Sequence, residues 1–135
     1  MGLSKKVRVL VADDEERIRI LLEANLEAAG YEVLLAPDGK AAVGIVSEED
    51  LDAVITDMNM PGATGIDVID AARRRFGPKF PVIVITAYGS VTNAVEAMRH
   101  GATDYLEKPF DMGDLRACVN KWLEMASSQP NLPQA

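Results

Sequence analysis

Acidic, hydroxyl and basic side chains stand at the ends of short apolar runs in this sequence. Asp13 and Asp14 follow the first run, Asp57 follows the third, Thr86 ends the fourth, and Lys108 comes shortly after the fifth. Three carboxylates held close together repel one another and raise one another's pKa unless a proton or a cation neutralises them. Oxygen-only ligands favour a hard divalent cation such as Mg²⁺. We therefore predict a magnesium site formed by these three acids.

The same set of side chains suits phosphoryl transfer. The Lys108 ammonium and the Thr86 hydroxyl can each hold a phosphoryl oxygen, and catalysis of this transfer is mainly positioning and charge neutralisation. An ionised carboxylate attacks phosphorus without first losing a proton, so Asp57 needs no general base. We predict Asp57 as the nucleophile, with Lys108 and Thr86 beside it.

Five apolar runs, which alternate with five helical patterns, must bring these residues together. We predict strands at residues 7–12, 31–36, 53–56, 81–86 and 103–106. This alternation implies a parallel sheet with helices on both faces. We expect a single doubly wound (βα)5 domain of the α/β class with strand order 2-1-3-4-5. Its crevice would lie at the carboxyl ends of the strands, near the switch point between strands 1 and 3.

The helices are predicted from apolar spacing and from residues that start or stop a helix. Asp38, Ser90 and Asp111 stand where an N-terminal cap is expected, and Gly30 and Gly101 where a helix should stop. The positions expected to face the core include Ile18, Leu21, Leu22 and Leu26 in the first helix; Ile66, Val68, Ile69 and Ala72 in the third; Val91, Ala94, Val95 and Met98 in the fourth; and Leu115, Val119, Trp122, Leu123 and Ala126 in the fifth.

Length and charge narrow the class of protein. The chain has 135 residues, 48% hydrophobic and 26% charged, which suits one globular domain. We place that domain at residues 6–126, between a lead at 1–5 and a linker or tail at 127–135. The net charge of −7 argues against direct binding of nucleic acid, and the run 73–75 of arginines is only a short charged face.

No part of the sequence predicts a membrane or secreted protein. No apolar run is long enough to span a bilayer, and the N-terminus lacks the apolar core of a signal peptide. The single Cys118 cannot form an internal disulfide. We therefore expect a cytoplasmic protein.

As a set, these residues resemble the receiver domain of two-component response regulators, with its CheY-like, flavodoxin-like fold. The matching motifs are Asp13-Asp14, residues 57–61, Thr86-Ala87 and Lys108-Pro109, and the resemblance covers roughly residues 6–126. It implies that Asp57 is the phosphoacceptor for a sensor histidine kinase. It also implies that Asp14 binds Mg²⁺ directly, that Asp13 acts largely through water, and that the main-chain carbonyl of Asn59 completes the metal ligands. The Lys108–Pro109 bond is commonly cis in this family.

The resemblance further implies how a signal would leave the site. Thr86 and Tyr105 occupy the positions of the family's switch pair, so Tyr105 would turn inward when the Thr86 hydroxyl moves toward a phosphoryl group. The face of helix 4, strand 5 and helix 5 would then change for an output domain or effector protein, with a phosphorylation-dependent homodimer as one outcome. Asn59 and Tyr88 occupy the two positions that tune hydrolysis. Neither is acidic or basic, so we expect the phosphorylated state to last longer than one turnover of a dedicated phosphatase.

A narrower resemblance points to receivers of the NtrC type. It rests on residues 86–91, 94–98 and 101–110, which include Thr86-Ala87-Tyr88-Gly89-Ser90-Val91. Such receivers usually precede an ATPase module and a DNA-binding domain that activate σ54 promoters. The resemblance therefore implies control of transcription.

The sequence argues against two other functions and leaves a third open. A haloacid-dehalogenase-type phosphatase would need an acid two residues after the nucleophile, where this chain has Asn59. A flavodoxin-like cofactor binder would need a loop rich in amides, hydroxyls or glycine, whereas residues 13–16 are all acidic. A third possibility is an interaction module that keeps the fold without phosphorylation. We expect a signalling phosphoacceptor rather than an enzyme.

Overall fold

Five strands alternate with five helices through residues 6–127, the range that the computed structural model describes. The strands are β1 (Arg8–Ala12), β2 (Glu32–Ala36), β3 (Ala53–Asp57), β4 (Val82–Thr86) and β5 (Asp104–Glu107). The helices are α1 (Glu16–Ala28), α2 (Gly39–Glu48), α3 (Gly65–Phe76), α4 (Val91–Arg99) and α5 (Met112–Ser127). All strands are parallel, in the order β2-β1-β3-β4-β5. The predicted α/β architecture is confirmed.

The predicted domain limits are only partly covered by this range. The lead at 1–5 and the tail at 128–135 lie outside the described residues, and Ser127 is the last residue of α5 rather than the first of a linker. Within the described range, no helix has both the length and the apolar character needed to cross a bilayer.

The sheet is covered on both faces, which explains why its central strands are mostly apolar. Alternate side chains of one strand point to opposite faces. Val9 and Val11 of β1 belong to the core layer with α1 and α5, whereas Leu10 and Ala12 belong to the layer with α2, α3 and α4. The five-residue strands β3 and β4 are buried along their whole length, as expected of a parallel sheet between two helix layers.

Four predicted strand starts lie one residue too early. Pro81 shows the physical reason for β4: it has no N–H to donate to the ladder, although its carbonyl still accepts from the Val54 N–H at 3.0 Å. Two predicted ends lie one residue too early as well, because β3 includes Asp57 and β5 includes Glu107.

Two of the three predicted N-cap side chains make a cap hydrogen bond. The Asp38 carboxylate accepts from the Ala41 N–H at 2.8 Å, and the Asp111 carboxylate accepts from the Gly113 N–H at 2.6 Å. Ser90 is the N-cap residue of α4, as predicted, but its side chain makes no cap hydrogen bond. Ser90 has φ −87° and ψ 73°, which is not the extended conformation in which an N-cap side chain reaches back over the first turn.

The apolar face predicted for the fourth helix is largely exposed. Val91 is 68% exposed, Val95 47% and Met98 43%, whereas the small residues Ala94 and Ala97 are buried. Helix α4 therefore approaches the rest of the molecule through its alanines, and its larger side chains face outward. The prediction for Leu21 in α1 is wrong in the same way, because its side chain is also exposed.

The arginine at the start of the run 73–75 is a structural residue rather than part of a charged face. Arg73 donates to the carbonyls of Gly77, Phe80 and Gly101 at 3.0, 2.6 and 2.9 Å, and it lies 3.3 Å from the Thr103 hydroxyl. It thereby joins the end of α3 to the segments that enter β4 and β5. Burial lowers the pKa of the Arg73 guanidinium.

Candidate functional site

The side chains predicted to carry chemistry meet at the carboxyl edge of the sheet. Asp13 directly follows β1, Asp57 ends β3, Thr86 ends β4, and Lys108 directly follows β5. One carboxylate oxygen from each of Asp13, Asp14 and Asp57 lies within 4.8 Å of the other two. The Lys108 ammonium lies 3.5 Å from Asp13 Oδ2 and 3.6 Å from Asp57 Oδ2. Residues up to 95 positions apart thus share one cluster.

Burial differs sharply among these groups. Asp13 and Thr86 are fully buried and Asp57 is 7% exposed, whereas Asp14 is exposed and marks the open side of the cluster. Asp13 is held firmly, since its Oδ1 accepts from the Glu15 N–H at 2.9 Å and its carbonyl accepts from Arg19 Nη1 at 2.7 Å.

Two buried oxygen atoms in the site lack a hydrogen-bond partner within the described range. They are Asp13 Oδ2 and Thr86 Oγ1. The contact of Lys108 with Asp13 Oδ2 is an ion pair without hydrogen-bond geometry. A buried polar atom without a partner is costly. An unpartnered carboxylate oxygen between two further acids fits a divalent cation, and an unpartnered hydroxyl fits an anionic oxygen.

The pKa of Asp57 is raised to about 6. Burial is the largest cause, and the negative charge of Asp13 adds to it; the Lys108 ammonium and the Asn59 N–H partly offset them. The pKa of Asp13 is also raised, chiefly by burial. Both shifts have the sign expected of carboxylates that share a confined site.

Lys108 remains an ammonium in this environment. Burial lowers its pKa, but the charges of Asp57, Asp13 and Glu15 outweigh that effect, and the net result is a raised pKa. Its position is set by the main chain, because the Lys108 N–H donates to the Thr86 carbonyl at 2.8 Å. The Lys108–Pro109 peptide bond is cis, as the resemblance implied.

The loop after Asp57 depends on a close approach at the start of α3. A Cβ atom on Gly65 would lie 2.7 Å from the Asp57 carbonyl oxygen and 2.9 Å from Met58 Cα, so only glycine fits there. Met58 and Met60 are buried in the core, and Asn59 between them is exposed. The role of the Asn59 main-chain carbonyl as a metal ligand stays a prediction.

The two residues of the predicted switch differ in exposure. Thr86 is buried, whereas Tyr105 is 42% exposed in a groove of about 410 Å³ between β5 and α4. Tyr88 is 81% exposed. Glu107 Oε2 accepts from the Gly89 N–H at 3.1 Å and joins β5 to the loop before α4.

Sequence reasoning missed two acids of this region, Glu107 and Glu15. Glu15 Oε1 accepts a hydrogen bond from Lys108 Nζ at 3.3 Å. The sequence carried a signal for Glu15, namely a run of four acids at positions 13–16. It did not show which of the last two acids turns toward the site.

Comparison with known proteins gives a consistent family. The family model described as response regulator receiver domain matches residues 9–120. The chain is 40% identical over 118 residues to the probable transcriptional regulator ycf27 of Galdieria sulphuraria, covering 87% of this chain and 46% of that protein. It is 41% identical over 104 residues to the response regulator protein FleR of Pseudomonas aeruginosa, covering 77% of this chain and 22% of that protein. The chain thus spans less than half the length of either relative.

Solved structures agree with that family. The receiver domain of the Francisella response regulator 1452 is 32% identical with a TM-score of 0.80, over 89% of this chain and 98% of that one. NtrX from Brucella abortus is 30% identical with a TM-score of 0.83, over 91% of this chain and 28% of that one, which loosely fits the NtrC-type resemblance. The chain therefore belongs to the response regulator receiver domain family, whose members are phosphorylated by histidine kinases and connect to output domains in two-component signalling.

Proposed function

We propose that this chain is a phosphorylation switch in which Asp57 accepts a phosphoryl group from a sensor histidine kinase. The observation that carries the proposal is the Lys108 ammonium, 3.6 Å from Asp57 Oδ2 in a site that also holds two further acids. A carboxylate nucleophile beside a fixed cation is suited to phosphoryl transfer. The chain would act as a signalling phosphoacceptor, not as an enzyme that releases product repeatedly.

The site residues fit Mg²⁺ as the partner of this chemistry. Asp13, Asp14, Asp57 and the main-chain carbonyl of Asn59 would hold the ion, and the unpartnered Asp13 Oδ2 supports that assignment. When bound, Mg²⁺ would neutralise the acids and the charge on the phosphoryl oxygens.

The proposed step forms one bond and breaks one. A carboxylate oxygen of Asp57 attacks phosphorus, and the bond from phosphorus to the donor atom breaks as the donor leaves with the electron pair. That atom is a histidine nitrogen of the kinase, or an acetate oxygen when acetyl phosphate is the donor. The Lys108 ammonium and the Thr86 hydroxyl hold phosphoryl oxygens. Asp57 must be ionised, so no proton is transferred from it.

The signal would leave through the pair Thr86 and Tyr105. The Thr86 hydroxyl has no hydrogen-bond partner within the described range, and the Tyr105 side chain is partly exposed. Movement of the Thr86 hydroxyl toward a phosphoryl oxygen would leave space into which Tyr105 turns. Phosphorylation can shift the population only by its preference for the inward state. NMR signals of Tyr105 and α4 that stay unchanged on phosphorylation would exclude this mechanism.

The phosphorylated state would last longer than one turnover of a dedicated phosphatase. Asn59 and Tyr88 are both exposed and follow Asp57 and Thr86 by two residues, and neither carries a charge that could activate water. Rapid loss of the phosphoryl group from the purified protein, unaffected by substitution of Tyr88, would count against this part of the proposal.

An output domain or effector protein would read the changed face of α4, β5 and α5. The name of the relative ycf27, a probable transcriptional regulator, supports control of transcription as the output. A phosphorylation-dependent homodimer through the same face and a cytoplasmic location belong to the same proposal. The acidic chain itself would not contact nucleic acid.

Incubation with Mg²⁺ and acetyl phosphate, followed by intact mass spectrometry, tests the proposal. Wild type and the control Asp114→Asn, which removes an exposed acid in the first turn of α5, should gain one phosphoryl group. Asp57→Asn should gain none. A gain that persists in Asp57→Asn would refute the site, and no gain in wild type would favour an interaction module. Turnover of a phosphomonoester would favour a phosphatase.

A further inference from the structure

Glu15 is a fourth acid at the site, and it takes the hydrogen bond of the catalytic ammonium. Lys108 Nζ donates to Glu15 Oε1 at 3.3 Å, whereas its contacts with Asp13 and Asp57 are ion pairs of 3.5 and 3.6 Å. Among the described residues, the closest charged partner of Lys108 is therefore not the phosphoacceptor but Glu15.

The main chain holds Glu15 in place while its side chain stays free for Lys108. The Glu15 N–H donates to Asp13 Oδ1 at 2.9 Å, and its carbonyl accepts from the N–H groups of Ile18 and Arg19 at 3.1 Å. Glu15 is the N-cap residue of α1, yet its side chain makes no cap hydrogen bond. The carboxylate is half-exposed. Its replacement should leave the start of the helix intact.

We propose that Glu15 is a positioning residue that restrains Lys108 in the unphosphorylated state and so weakens its hold on a phosphoryl group. This inference rests on the proposed function, because it assumes that Lys108 grips a phosphoryl oxygen on Asp57. A phosphoryl group and the Glu15 carboxylate compete for the same ammonium donors. Glu15 thereby sets how strongly the phosphorylated site is held together.

The affinity for beryllium fluoride, a phosphoryl mimic, in the presence of Mg²⁺ measures this competition at equilibrium. Glu15→Gln should bind the mimic about twofold to fivefold more tightly than wild type, the range expected of a partly exposed ion pair. Glu16→Gln is the matched control, because it removes the same charge one residue later, in the first turn of α1. Equal affinities in the two variants, or weaker binding in Glu15→Gln, would overturn the inference.

A second measurement needs neither metal nor mimic. In the Mg²⁺-free protein, the side-chain methylene NMR signals next to Lys108 Nζ should shift in Glu15→Gln and stay in place in Glu16→Gln. Unchanged Lys108 signals in Glu15→Gln would show that the pair is not formed in solution, and the inference would fall.

The same titrations separate this inference from the proposed function. If wild type does not bind the mimic, or if Asp57→Asn binds it equally well, the proposed function fails. If wild type binds it through Asp57 and Glu15→Gln behaves as Glu16→Gln does, only the role of Glu15 fails.

Discussion

Asp57 occupies a site in which its own charge is unfavourable without a divalent cation, even beside the Lys108 ammonium. Its pKa is raised to about 6 by burial and by Asp13, compared with about 3.9 for an unperturbed aspartate. The folded state therefore binds this proton more tightly than the unfolded state does. In the absence of divalent cations, this group destabilises the protein increasingly as the pH rises from about 4 to about 6.

Asp57→Asn should consequently stabilise the metal-free protein at neutral pH. We expect the free energy of unfolding at pH 7 to increase by about 1–3 kcal/mol, since a neutral amide replaces a buried charge. The gain should shrink as the pH falls through about 6 toward 4, where Asp57 is protonated in wild type as well. Urea unfolding at several pH values without divalent cations checks this. A destabilised variant at pH 7 would contradict it.

Thr86 is a second residue whose effect on the stability of the protein should be separable from its function. Its hydroxyl is buried with no partner in the described part of the chain, so Thr86→Val should raise the free energy of unfolding by about 1 kcal/mol. The neighbouring Thr56 hydroxyl is buried too, but it donates to the Asp57 carbonyl at 2.9 Å, so Thr56→Val should destabilise. Thermal unfolding of both variants tests the pair. Destabilisation by Thr86→Val would show that the Thr86 hydroxyl has a hydrogen-bond partner in solution.

At the residue scale, the sequence was sufficient to predict site residues that stand at the end of a strand and have a chemically active side chain. Asp13, Asp57, Thr86 and Lys108 were predictable because the carboxyl ends of parallel strands share one edge. Glu15 was not predictable, because residues 15 and 16 are both glutamates and only the turn between β1 and α1 decides which one meets Lys108.

The start of α3 is fitted against the end of β3, and this contact should be sensitive to a single methyl group. Gly65→Ala would place a Cβ atom 2.7 Å from the Asp57 carbonyl oxygen, which we expect to destabilise the protein by about 1–3 kcal/mol. Gly44 in α2 has no heavy atom within 4 Å of an added Cβ. Gly44→Ala should therefore stabilise by about 0.5–1 kcal/mol through helix propensity. Chemical unfolding of the two variants compares them. A neutral Gly65→Ala would contradict this account of the loop.

Helix α4 shows where an apolar pattern does not reveal which face is buried. The spacing of Val91, Val95 and Met98 predicted a helix, and the helix is present, but these side chains are exposed. The two alanines, Ala94 and Ala97, make the buried contact instead. Periodicity records an apolar stripe, and an apolar stripe can face a partner as well as a core.

For the whole molecule, the strand order was predictable because right-handed crossovers and helices on both faces leave few arrangements for five βα units. The side-chain hydrogen bonds that join one βα unit to another were not predictable. Arg73 joins α3 to the segments before β4 and β5 through main-chain carbonyls, and no spacing rule locates carbonyl acceptors that distant in the sequence.

The exposed side of α4 should matter for assembly but not for phosphorylation. The homodimer proposed above should be lost in Val95→Glu in the presence of Mg²⁺ and beryllium fluoride, because this substitution places a charge in the exposed apolar stripe. Ile20→Glu is a matched control, since Ile20 is 53% exposed on α1. Both variants should still be phosphorylated by acetyl phosphate. Sedimentation velocity tests this, and a Val95→Glu protein that associates as wild type does would exclude α4 from the interface.

The central claim is that the Asp57 carboxylate accepts the phosphoryl group. Trapping of the acyl phosphate with borohydride tests this claim directly. Borohydride reduces an acyl phosphate to an alcohol, so the phosphorylated protein should contain homoserine in place of aspartate after reduction. Peptide mapping by mass spectrometry then identifies the residue. We predict homoserine at position 57 and at no other aspartate. Homoserine at position 13 or 14, or a stable phosphoryl group that borohydride does not convert, would contradict the account.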